Sequence, residues 1–486
     1  MKKQQADSWI AANKNEINNS FRLKYHLMGE VGWINDPNGF SFYEGYYHLF
    51  YQFHPYTAKW GPMHWGHAKS LDLIKWTYQE VALAPSAPWD QDGCFSGSAL
   101  IQGDEMYLFY TGNIDEIHHE EGLQVQNLAS SKDGINFVKY INNPVIRQNQ
   151  VPDFASKKDF RDPKVVMREG SYYMLVASMS KEGVGQILCY KSSNLKQWSY
   201  LNVFSKGCAA LGKMWECPDF FTLGDVDVLM LSPQHMPSQG ERFNNLHSTL
   251  FMLGEADMKA GVFEKKDYYE IDCGFDFYAP QTVMSKHGDI ILIAWMDMWE
   301  DSKPTDDLGH GWAGAMTLPR VLTYKESKIL ANPVKAIEAY RKHQIKYNNV
   351  YIDGALTLPL LHGKCYEMQI ELDLTRIDDL IFSCFLRVFE KEYTTLTYDQ
   401  KANSLTLDRD YAGVGLSGQR TVVFENTLDL LKLRIFVDVC SIEVFINGGT
   451  HTMTSRIFPS TKSQGIRFET NQKYNINEII KWEIHI

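Results

Sequence analysis

Short runs of apolar residues recur along the first two thirds of the chain at intervals of roughly sixty residues. They occupy residues 46–51, 106–110, 172–176, 228–231 and 290–295. Continuous apolar runs of this length are typical of strands that are buried on both faces. No convincing long helical periodicity lies between them. The pattern predicts five repeated sheets arranged radially, with these runs as their inner strands.

A polar turn repeats with the same period. Residues 70–76 (Ser-Leu-Asp-Leu-Ile-Lys-Trp) recur as residues 131–137 (Ser-Lys-Asp-Gly-Ile-Asn-Phe) and again as residues 192–198 (Ser-Ser-Asn-Leu-Lys-Gln-Trp), 61 residues apart each time. Each copy is typical of a turn followed by an aromatic residue that starts a strand. A large sandwich with evenly spaced strands would explain the apolar runs, but the matching turns favour a β-propeller.

The pattern changes after residue 320. Residues 332–344 predict a short helix entered at Pro333. Beyond them, residues 433–439 and 441–446 alternate between apolar and polar positions and are separated by a short gap, which indicates an antiparallel sandwich. We therefore predict an all-β chain: a five-bladed propeller over residues 1–335, with an N-terminal helix at about 4–18, a helical linker over 336–345 and a β-sandwich over 346–486.

Composition narrows the possible partners. The chain has 486 residues and a net charge of −11, so it lacks the basic surface that nucleic acid would require. Its N-terminus lacks the apolar run of a signal peptide, and no segment reaches the length of a membrane span. The eight cysteines are scattered without metal-type spacing. We expect a cytoplasmic protein with reduced thiols, without membrane or nucleic-acid partners and without a cofactor.

Three acidic residues keep the phase of the repeat. Asp36 and Asp162 each lie ten residues before an apolar run, and Glu216 lies twelve before another. Asp36 precedes Pro-Asn-Gly, a sequence that predicts a tight turn presenting the carboxylate. Equivalent positions in a radial repeat converge on the central axis, so we expect the three carboxyl groups to face one another. The simpler alternative is a set of buried turn carboxylates that accept hydrogen bonds from backbone N–H groups.

A carboxylate trio suits glycoside hydrolysis, in which one carboxylate attacks the anomeric carbon and one carboxylic acid protonates the leaving oxygen. Arg161, beside Asp162, is placed to keep that carboxyl group ionised. Cys217, next to Glu216, is predicted to be a packing residue rather than a nucleophile, because no base is paired with it in the sequence. The histidines have no metal-ligand spacing, so we predict no metal site.

The same residues resemble three signature motifs of glycoside hydrolase family 32: residues 33–39 (Trp-Ile-Asn-Asp-Pro-Asn-Gly), 160–163 (Phe-Arg-Asp-Pro) and 215–218 (Trp-Glu-Cys-Pro). The resemblance continues through residues 60–66, 95–98, 276–281 and 312–320, and it reaches residues 441–445 in the second domain. It covers nearly the whole chain. It implies a five-bladed propeller followed by a sandwich, and an enzyme that cleaves the terminal β-D-fructofuranosyl bond of sucrose, sucrose 6-phosphate or short fructo-oligosaccharides.

The resemblance also implies roles for individual residues. Asp36 is expected to be the nucleophile of a retaining reaction, Glu216 the general acid and base, and Asp162 the residue that stabilises the transition state. The fructose pocket is expected to be formed by Asn35, Gln52, Trp60, Phe95, Ser96, Arg161 and Tyr278. A fructosyltransferase or a fructan exo-hydrolase would use the same site. A non-catalytic sugar-binding propeller would be expected to lack one of the acids, whereas all three are present.

Overall fold

The structure, a computed structural model, describes residues 2–425 and 427–486. Its first five sheets are antiparallel blades around one axis, which confirms the predicted propeller. The first blade contains β1 (Gly32–Tyr43), β2 (Tyr46–His54), β3 (His64–Ser70) and β4 (Trp76–Tyr78). The second contains β5 (Gly93–Gln102), β6 (Glu105–Ile114), β7 (Leu123–Ser131) and β8 (Val138–Lys139).

The remaining blades follow in chain order. The third contains β9 (Ala155–Arg168), β10 (Ser171–Ser180), β11 (Gly185–Ser192) and β12 (Ser199–Lys206), and the fourth contains β13 (Trp215–Leu223), β14 (Val226–Pro233), β15 (Leu250–Asp257) and β16 (Val262–Glu270). The fifth contains β17 (Tyr278–Met284), β18 (Ile290–Trp295), β20 (Arg320–Lys325) and β21 (Lys328–Pro333). The short strand β19 (Trp312–Ala313) leaves this blade and pairs in parallel with β1, which joins the last blade to the first.

The innermost strands are not the apolar runs. β1, β5, β9, β13 and β17 contact one another in a closed ring, so they line the axis. The apolar runs form β2, β6, β10, β14 and β18, which are second from the axis: they are inner strands, as predicted, but not the innermost ones. The physical reason is that a second strand is covered by neighbouring blades on both faces, whereas the innermost strand must also carry the polar groups of the axis.

The repeated turns connect the third and fourth strands of the first three blades. In the first copy, Ser70 Oγ accepts a hydrogen bond from the Leu73 N–H at 2.8 Å. Asp72 Oδ1 accepts from the N–H groups of Ile74 and Lys75, both at 2.9 Å. Side chains of this type satisfy the N–H groups that a tight turn leaves without backbone partners. This requirement explains why Ser and Asp or Asn return at the same spacing.

The N-terminal helix α1 (Lys3–Asn13) is shorter than the predicted range of about 4–18. It ends where asparagines become frequent, and the Asn13 side chain donates to the Trp9 carbonyl oxygen at 2.8 Å. The other helices are α2 (Pro304–Asp307) and the 3₁₀ segments Gln148–Gln150, Ala209–Leu211 and Lys335–Tyr340. In the part of the chain that the structure describes, no helix has the length and apolar character needed to span a membrane.

The second domain is a sandwich of two six-stranded sheets. One sheet contains β22 (Arg341–Ile352), β24 (Tyr366–Asp373), β29 (Leu430–Asp438), β30 (Ser441–Ile446), β31 (His451–Arg456) and β33 (Tyr474–Ile484). The other contains β23 (Ala355–Leu356), β25 (Ile381–Phe389), β26 (Glu392–Asp399), β27 (Ser404–Asp408), β28 (Gln419–Val423) and β32 (Gly465–Thr470). Their facing apolar side chains form one continuous core.

The linker predicted to be helical over 336–345 is corrected by the structure. Only Lys335–Tyr340 is helical, as a 3₁₀ segment, and β22 begins at Arg341. Arg341 pairs with Ile484 of β33, more than a hundred residues along the chain. Pairing with the final strand therefore overrides the local helix-forming composition.

Buried charges join the two domains. Glu443 of β30 accepts hydrogen bonds from Arg320 Nη2 at 2.7 Å and from the Leu318 N–H at 2.9 Å, both in the propeller. His26 lies between Asp438 and Glu443, with ring nitrogens 2.8 and 2.9 Å from their oxygens. Burial lowers the pKa of His26, but hydrogen bonds to the two carboxylates outweigh it and raise the pKa to about 9. Two carboxylates of the sandwich are therefore paired with cations of the propeller.

Candidate active site

A bulge at the same level of all five innermost strands positions the site. One extra residue lies between Ile34 and Pro37 of β1 and between Phe95 and Gly97 of β5, relative to their partner strands. The other bulges lie at 161–164 in β9, 216–219 in β13 and 278–281 in β17. The tight turn predicted at residues 33–39 is therefore a bulge inside a strand, because the Pro ring cannot donate to the ladder and the chain yields there without reversing.

Three of these bulges hold a non-glycine residue in the left-handed region. Asp162 has φ 62°, Cys217 has φ 48° and Ala279 has φ 49°. Each is followed by a proline, as Asp36 is. This conformation costs free energy in an L-residue, and bulges next to active sites commonly redirect a side chain in this way. The four X-Pro pairs were the available sequence signal for the innermost strands.

Asp36 is buried among donors. Ser96 Oγ donates to its Oδ2 at 2.6 Å, and Asn35 Nδ2 donates to its Oδ1 at 3.0 Å. The Cys217 thiol lies 3.4 Å from Oδ2. Burial raises the pKa of Asp36, while the hydrogen bonds from Ser96 and Asn35 oppose the rise. Ser96, Asn35 and Cys217 can each donate a hydrogen bond to this carboxyl group, which favours the carboxylate.

Asp162 faces Asp36 across Cys217. Its Oδ2 accepts the Cys217 N–H at 2.9 Å, and its own N–H donates to Thr111 Oγ1 at 2.9 Å. Burial raises the pKa of Asp162, the Arg161 guanidinium lowers it, and the charges of Glu216 and Asp36 raise it, so that the net pKa is about 7. Arg161 therefore acts in the expected direction, but burial outweighs it.

Glu216 lies between a cation and a hydroxyl group. Arg161 Nε and Nη2 both lie 3.0 Å from Oε1, and the Tyr278 hydroxyl lies 2.5 Å from Oε2. The same hydroxyl is 3.2 Å from the Ser232 carbonyl oxygen. Tyr278 can therefore donate to the carbonyl and accept a hydrogen bond from protonated Glu216, or donate to the Glu216 carboxylate itself.

The three carboxyl groups open into one pocket of about 680 Å³. This volume is in the range of small-molecule sites. Of the predicted pocket residues, those that line it are Asn35, Gln52, Trp60, Phe95, Ser96 and Arg161. Trp60 stands at the mouth with 47% of its surface exposed, whereas Tyr278 lies buried behind Glu216 with 1% exposed.

Sequence reasoning missed the residues that form the mouth of the pocket. Asp159 and Gln124 both contact Arg161, and Trp299 and His247 line the wall. Most mouth residues belong to the connections that follow the second strands, such as residues 55–63, 115–122, 234–249 and 296–311. In each blade, the second strand ends at the level where the innermost strand begins. The long connections after the apolar runs could therefore have located the mouth residues in the sequence.

Asp36, Asp162 and Glu216 already accept hydrogen bonds from protein donors. Away from the pocket, His343, Glu483 and His485 approach one another on the surface of the sandwich. Two of these side chains are exposed, and their surroundings supply no further observation that points to a ligand. The eight cysteines are free thiols, and burial raises the pKa of the Cys217 thiol well above its usual range, with the neighbouring carboxylates adding to the rise.

Comparison with known proteins agrees with this geometry. The N-terminal domain of glycosyl hydrolases family 32 matches residues 26–333, and the C-terminal domain of the same family matches residues 336–484. A sucrose-6-phosphate hydrolase from Zymomonas mobilis is 37% identical over 98% of this chain and 94% of its own length. A raffinose invertase from Escherichia coli is 38% identical over 90% of each chain.

Solved structures give the same result. A family 32 β-fructofuranosidase from Bombyx mori is 34% identical, with a TM-score of 0.87 over 99% of this chain and 98% of that one. A mutant of that enzyme was solved in complex with sucrose. The resemblance inferred from the motifs is confirmed: the chain is a glycoside hydrolase and belongs to glycosyl hydrolase family 32.

Proposed function

We propose that this chain is a retaining β-fructofuranosidase that cleaves the terminal β-D-fructofuranosyl bond of sucrose-type substrates. The observation that carries the proposal is that Asp36 and Glu216 lie in the same pocket with different partners. Asp36 accepts hydrogen bonds from uncharged donors, whereas Glu216 contacts a guanidinium and a hydroxyl group that can donate or accept. A retaining glycosidase needs this inequality between its two carboxyl groups.

Asp36 is the proposed nucleophile. Its Oδ2 accepts from Ser96 at 2.6 Å and from the Cys217 thiol at 3.4 Å, so the carboxylate is held in one orientation. Glu216 is the proposed acid and base. Its Oε2 contacts the Tyr278 hydroxyl group, which can donate its own hydrogen to the Ser232 carbonyl oxygen and accept a hydrogen bond from Glu216. A proton on Glu216 is therefore compatible with every hydrogen bond around it.

Asp162 is the proposed stabiliser of the transition state. Its buried carboxyl group is held by the Cys217 N–H through Oδ2 and faces the same pocket. Hydrogen bonds from the hydroxyl groups of a fructosyl ring would strengthen as positive charge develops on that ring. A carboxylate held in place by backbone is suited to this, because it does not have to reorganise during the reaction.

The proposed reaction proceeds in two displacements. In the first, an Asp36 oxygen forms a bond to C2 of the fructosyl unit, the C2–O bond to glucose breaks, and Glu216 gives its proton to the leaving oxygen. In the second, water attacks C2, Glu216 takes a proton from that water, and the bond to Asp36 breaks. Two inversions at C2 leave the β configuration in the product.

Support for the substrate comes from the relatives. Those named sucrose-6-phosphate hydrolase and raffinose invertase, and the silkworm enzyme whose mutant was solved with sucrose, all act on or bind sugars with a terminal fructosyl unit attached to glucose. The three carboxyl groups line a pocket of about 680 Å³, a volume that can accommodate a terminal fructosyl unit.

The anomer of the first product tests retention. In aqueous methanol, wild-type enzyme should convert sucrose to methyl β-fructofuranoside, identified by NMR before it equilibrates. Asp36→Ala and Glu216→Ala should each lower kcat/KM by about 10³-fold or more. Glu216→Ala should be least impaired with fructosyl fluoride, whose leaving group needs no proton. The α product, or wild-type activity in either variant, would refute the proposal.

A matched control separates chemistry from folding. Glu255→Gln removes an exposed carboxylate that pairs with Lys266 at the far end of the fourth blade. Its kcat/KM and melting temperature should equal those of wild type. Mass spectrometry of enzyme quenched during turnover of the fluoride should show a species one fructosyl unit heavier in Glu216→Ala and none in Asp36→Ala.

A further inference from the structure

The mouth of the pocket is acidic. Asp115, Glu116 and Glu300 are exposed there, and Asp159 is half-buried just inside. They come from three different parts of the propeller: the connection after β6, the start of β9 and the connection after β18. A group entering on the leaving-group side of the substrate therefore meets negative charge from several directions.

The buried cation of the pocket already has hydrogen-bond and ion-pair partners within the protein. Arg161 contacts Glu216 at 3.0 Å, Asp159 at 3.2 Å and Gln124 at 3.3 Å. Three acceptors around one buried guanidinium leave little capacity for a further anion. His247 also lines the wall, and burial lowers its pKa below the usual 6.5, so its ring is neutral near pH 7.

Among the described residues that line the pocket, Lys158 is the remaining cation, and it forms an ion pair with Glu116 across the gap between the second and third blades. The hydrogen bond between them raises the pKa of Lys158 and lowers that of Glu116, so both are charged. Their side chains are 57% and 63% exposed, so the pair lies where a substituent on the leaving group would meet solvent. The carboxylate of Glu116 therefore offsets the charge of Lys158 at close range.

A phosphate group carries close to two negative charges at neutral pH and needs charge-assisted donors to offset the loss of its hydration. Among the residues that line this pocket, each cation has a carboxylate partner within the pocket. The net charge of −11 adds no long-range attraction. A neutral hexosyl leaving group has no such requirement, because its hydroxyl groups can donate to the carboxylates of the mouth.

We propose that the enzyme takes neutral fructosides such as sucrose in preference to sucrose 6-phosphate, and that Glu116 sets this preference by pairing with Lys158. The inference rests on the proposed function and specifies its substrate class. It differs from the activity for which several relatives, the sucrose-6-phosphate hydrolases, are named. Glu116 is a specificity residue in this proposal, since it acts on the leaving-group side and not on the reacting atoms.

The test compares kcat/KM for sucrose and for sucrose 6-phosphate with wild-type enzyme. We expect sucrose to be preferred by at least about tenfold at low salt. The preference should shrink as ionic strength rises, because salt screens the repulsion between the phosphate and the carboxylates. An equal rate or a preference for the phosphate would overturn the inference and leave the proposed function standing. Hydrolysis of neither substrate would refute the proposed function and the inference together.

Variants assign the effect to the ion pair. Glu116→Gln frees Lys158 and should raise the ratio of kcat/KM for the phosphate to that for sucrose at least about fivefold. Glu116→Gln combined with Lys158→Met should lose that gain, because no cation is left to free. Glu255→Gln, in the exposed pair with Lys266, is the matched control and should leave the ratio unchanged. A ratio that does not move in Glu116→Gln, or a gain that survives in the double variant, would refute the role of the pair.

Discussion

The backbone N–H of Cys217 donates to Asp162 Oδ2 at 2.9 Å, from the fourth blade to the third. The thiol of the same residue lies 3.4 Å from Asp36 in the first blade. One residue in the left-handed conformation therefore contacts two of the three carboxyl groups and is adjacent in sequence to the third. The relative positions of the three carboxyl groups therefore depend on Cys217, although a buried thiol would not by itself suggest such a role.

Substitution of Cys217 by Ser should leave at least about a tenth of the wild-type kcat/KM, because the backbone contact is kept and a hydroxyl replaces the thiol as donor. Burial raises the pKa of the thiol well above its usual value, so the native protein should resist iodoacetamide at Cys217 near pH 8. Exposed Cys208 should be alkylated first, as seen by peptide mass spectrometry. Labelling of Cys217 with loss of activity proportional to labelling would contradict this role.

Substitution of Arg161 by Gln should lower kcat/KM by about 100-fold and shift its pH profile. The pKa of Asp162 is raised to about 7 chiefly by burial, and Arg161 lowers it. If the ionised form of Asp162 is required, activity falls as pH drops through about 7, and without Arg161 the fall should begin at higher pH. Arg161→Lys keeps the charge and should shift the profile less. An unshifted acidic limb in Arg161→Gln would exclude this coupling.

Substitution of Ser96 by Ala removes the 2.6 Å hydrogen bond to Asp36. The pKa of Asp36 should rise further, since this hydrogen bond opposes the effect of burial. We expect kcat/KM to fall by about tenfold at neutral pH and to recover partly at higher pH. Ser192→Ala is the control: its Oγ accepts the Leu195 N–H in a repeated turn, so the melting temperature should fall while kcat/KM stays constant. Equal kinetic effects in both variants would point to a loss of folding.

Substitution of His26 by Gln should change how stability depends on pH. The folded pKa of about 9 exceeds the unfolded value of 6.5, so the contribution of His26 is complete below pH 6.5 and is lost as pH rises through 9. The shift corresponds to about 3 kcal/mol. Wild type should lose melting temperature over this window more steeply than His26→Gln. His485→Gln, in an exposed pair with Glu483, should follow the wild-type curve. Parallel curves for wild type and His26→Gln would contradict the assignment.

A chain that ends at Tyr340 should fold poorly. It would lose Asp438 and Glu443, which leaves His26 without either carboxylate partner and Arg320 with Asp272 as its remaining carboxylate partner. It would also expose apolar propeller residues that pack against Phe436 and Phe445. Breaking a buried ion pair on one side costs several kcal/mol. We expect little soluble protein, and a melting temperature at least about 10 °C lower in any soluble fraction. Unchanged melting would show that the propeller is independent of the sandwich.

The repeat could be predicted from the sequence because its turns need particular side chains. Ser70 and Asp72 satisfy turn N–H groups directly, so the same types recur. The innermost strands were not recognised, because their bulges bring prolines and polar residues into the segments, and the four X-Pro pairs that mark them are typical of turns. The segment after Tyr340 was misassigned for a different reason: the partner of β22 is β33, which local composition does not reveal.

The residues of the site also divide into those that the sequence could predict and those that it could not. That Asp36, Asp162 and Glu216 line one pocket agrees with the phase of the repeat. Asp159 and Gln124 were missed because their importance comes from Arg161, which reaches them from β9, and no spacing in the sequence shows which acceptors a guanidinium will contact. Trp60 was predicted only through the family resemblance, because its position at the mouth of the pocket depends on the segment that connects β2 and β3.

The bulges also separate two uses of the same five strands. The pocket residues Asp36, Ser96, Asp162 and Glu216 lie within the bulges, and below each bulge a new register begins. Because the extra residue absorbs the offset, a substitution or a small shift above the bulge does not reverse the inward and outward alternation below it. Substrate preference can therefore change in evolution on this framework without rebuilding its core.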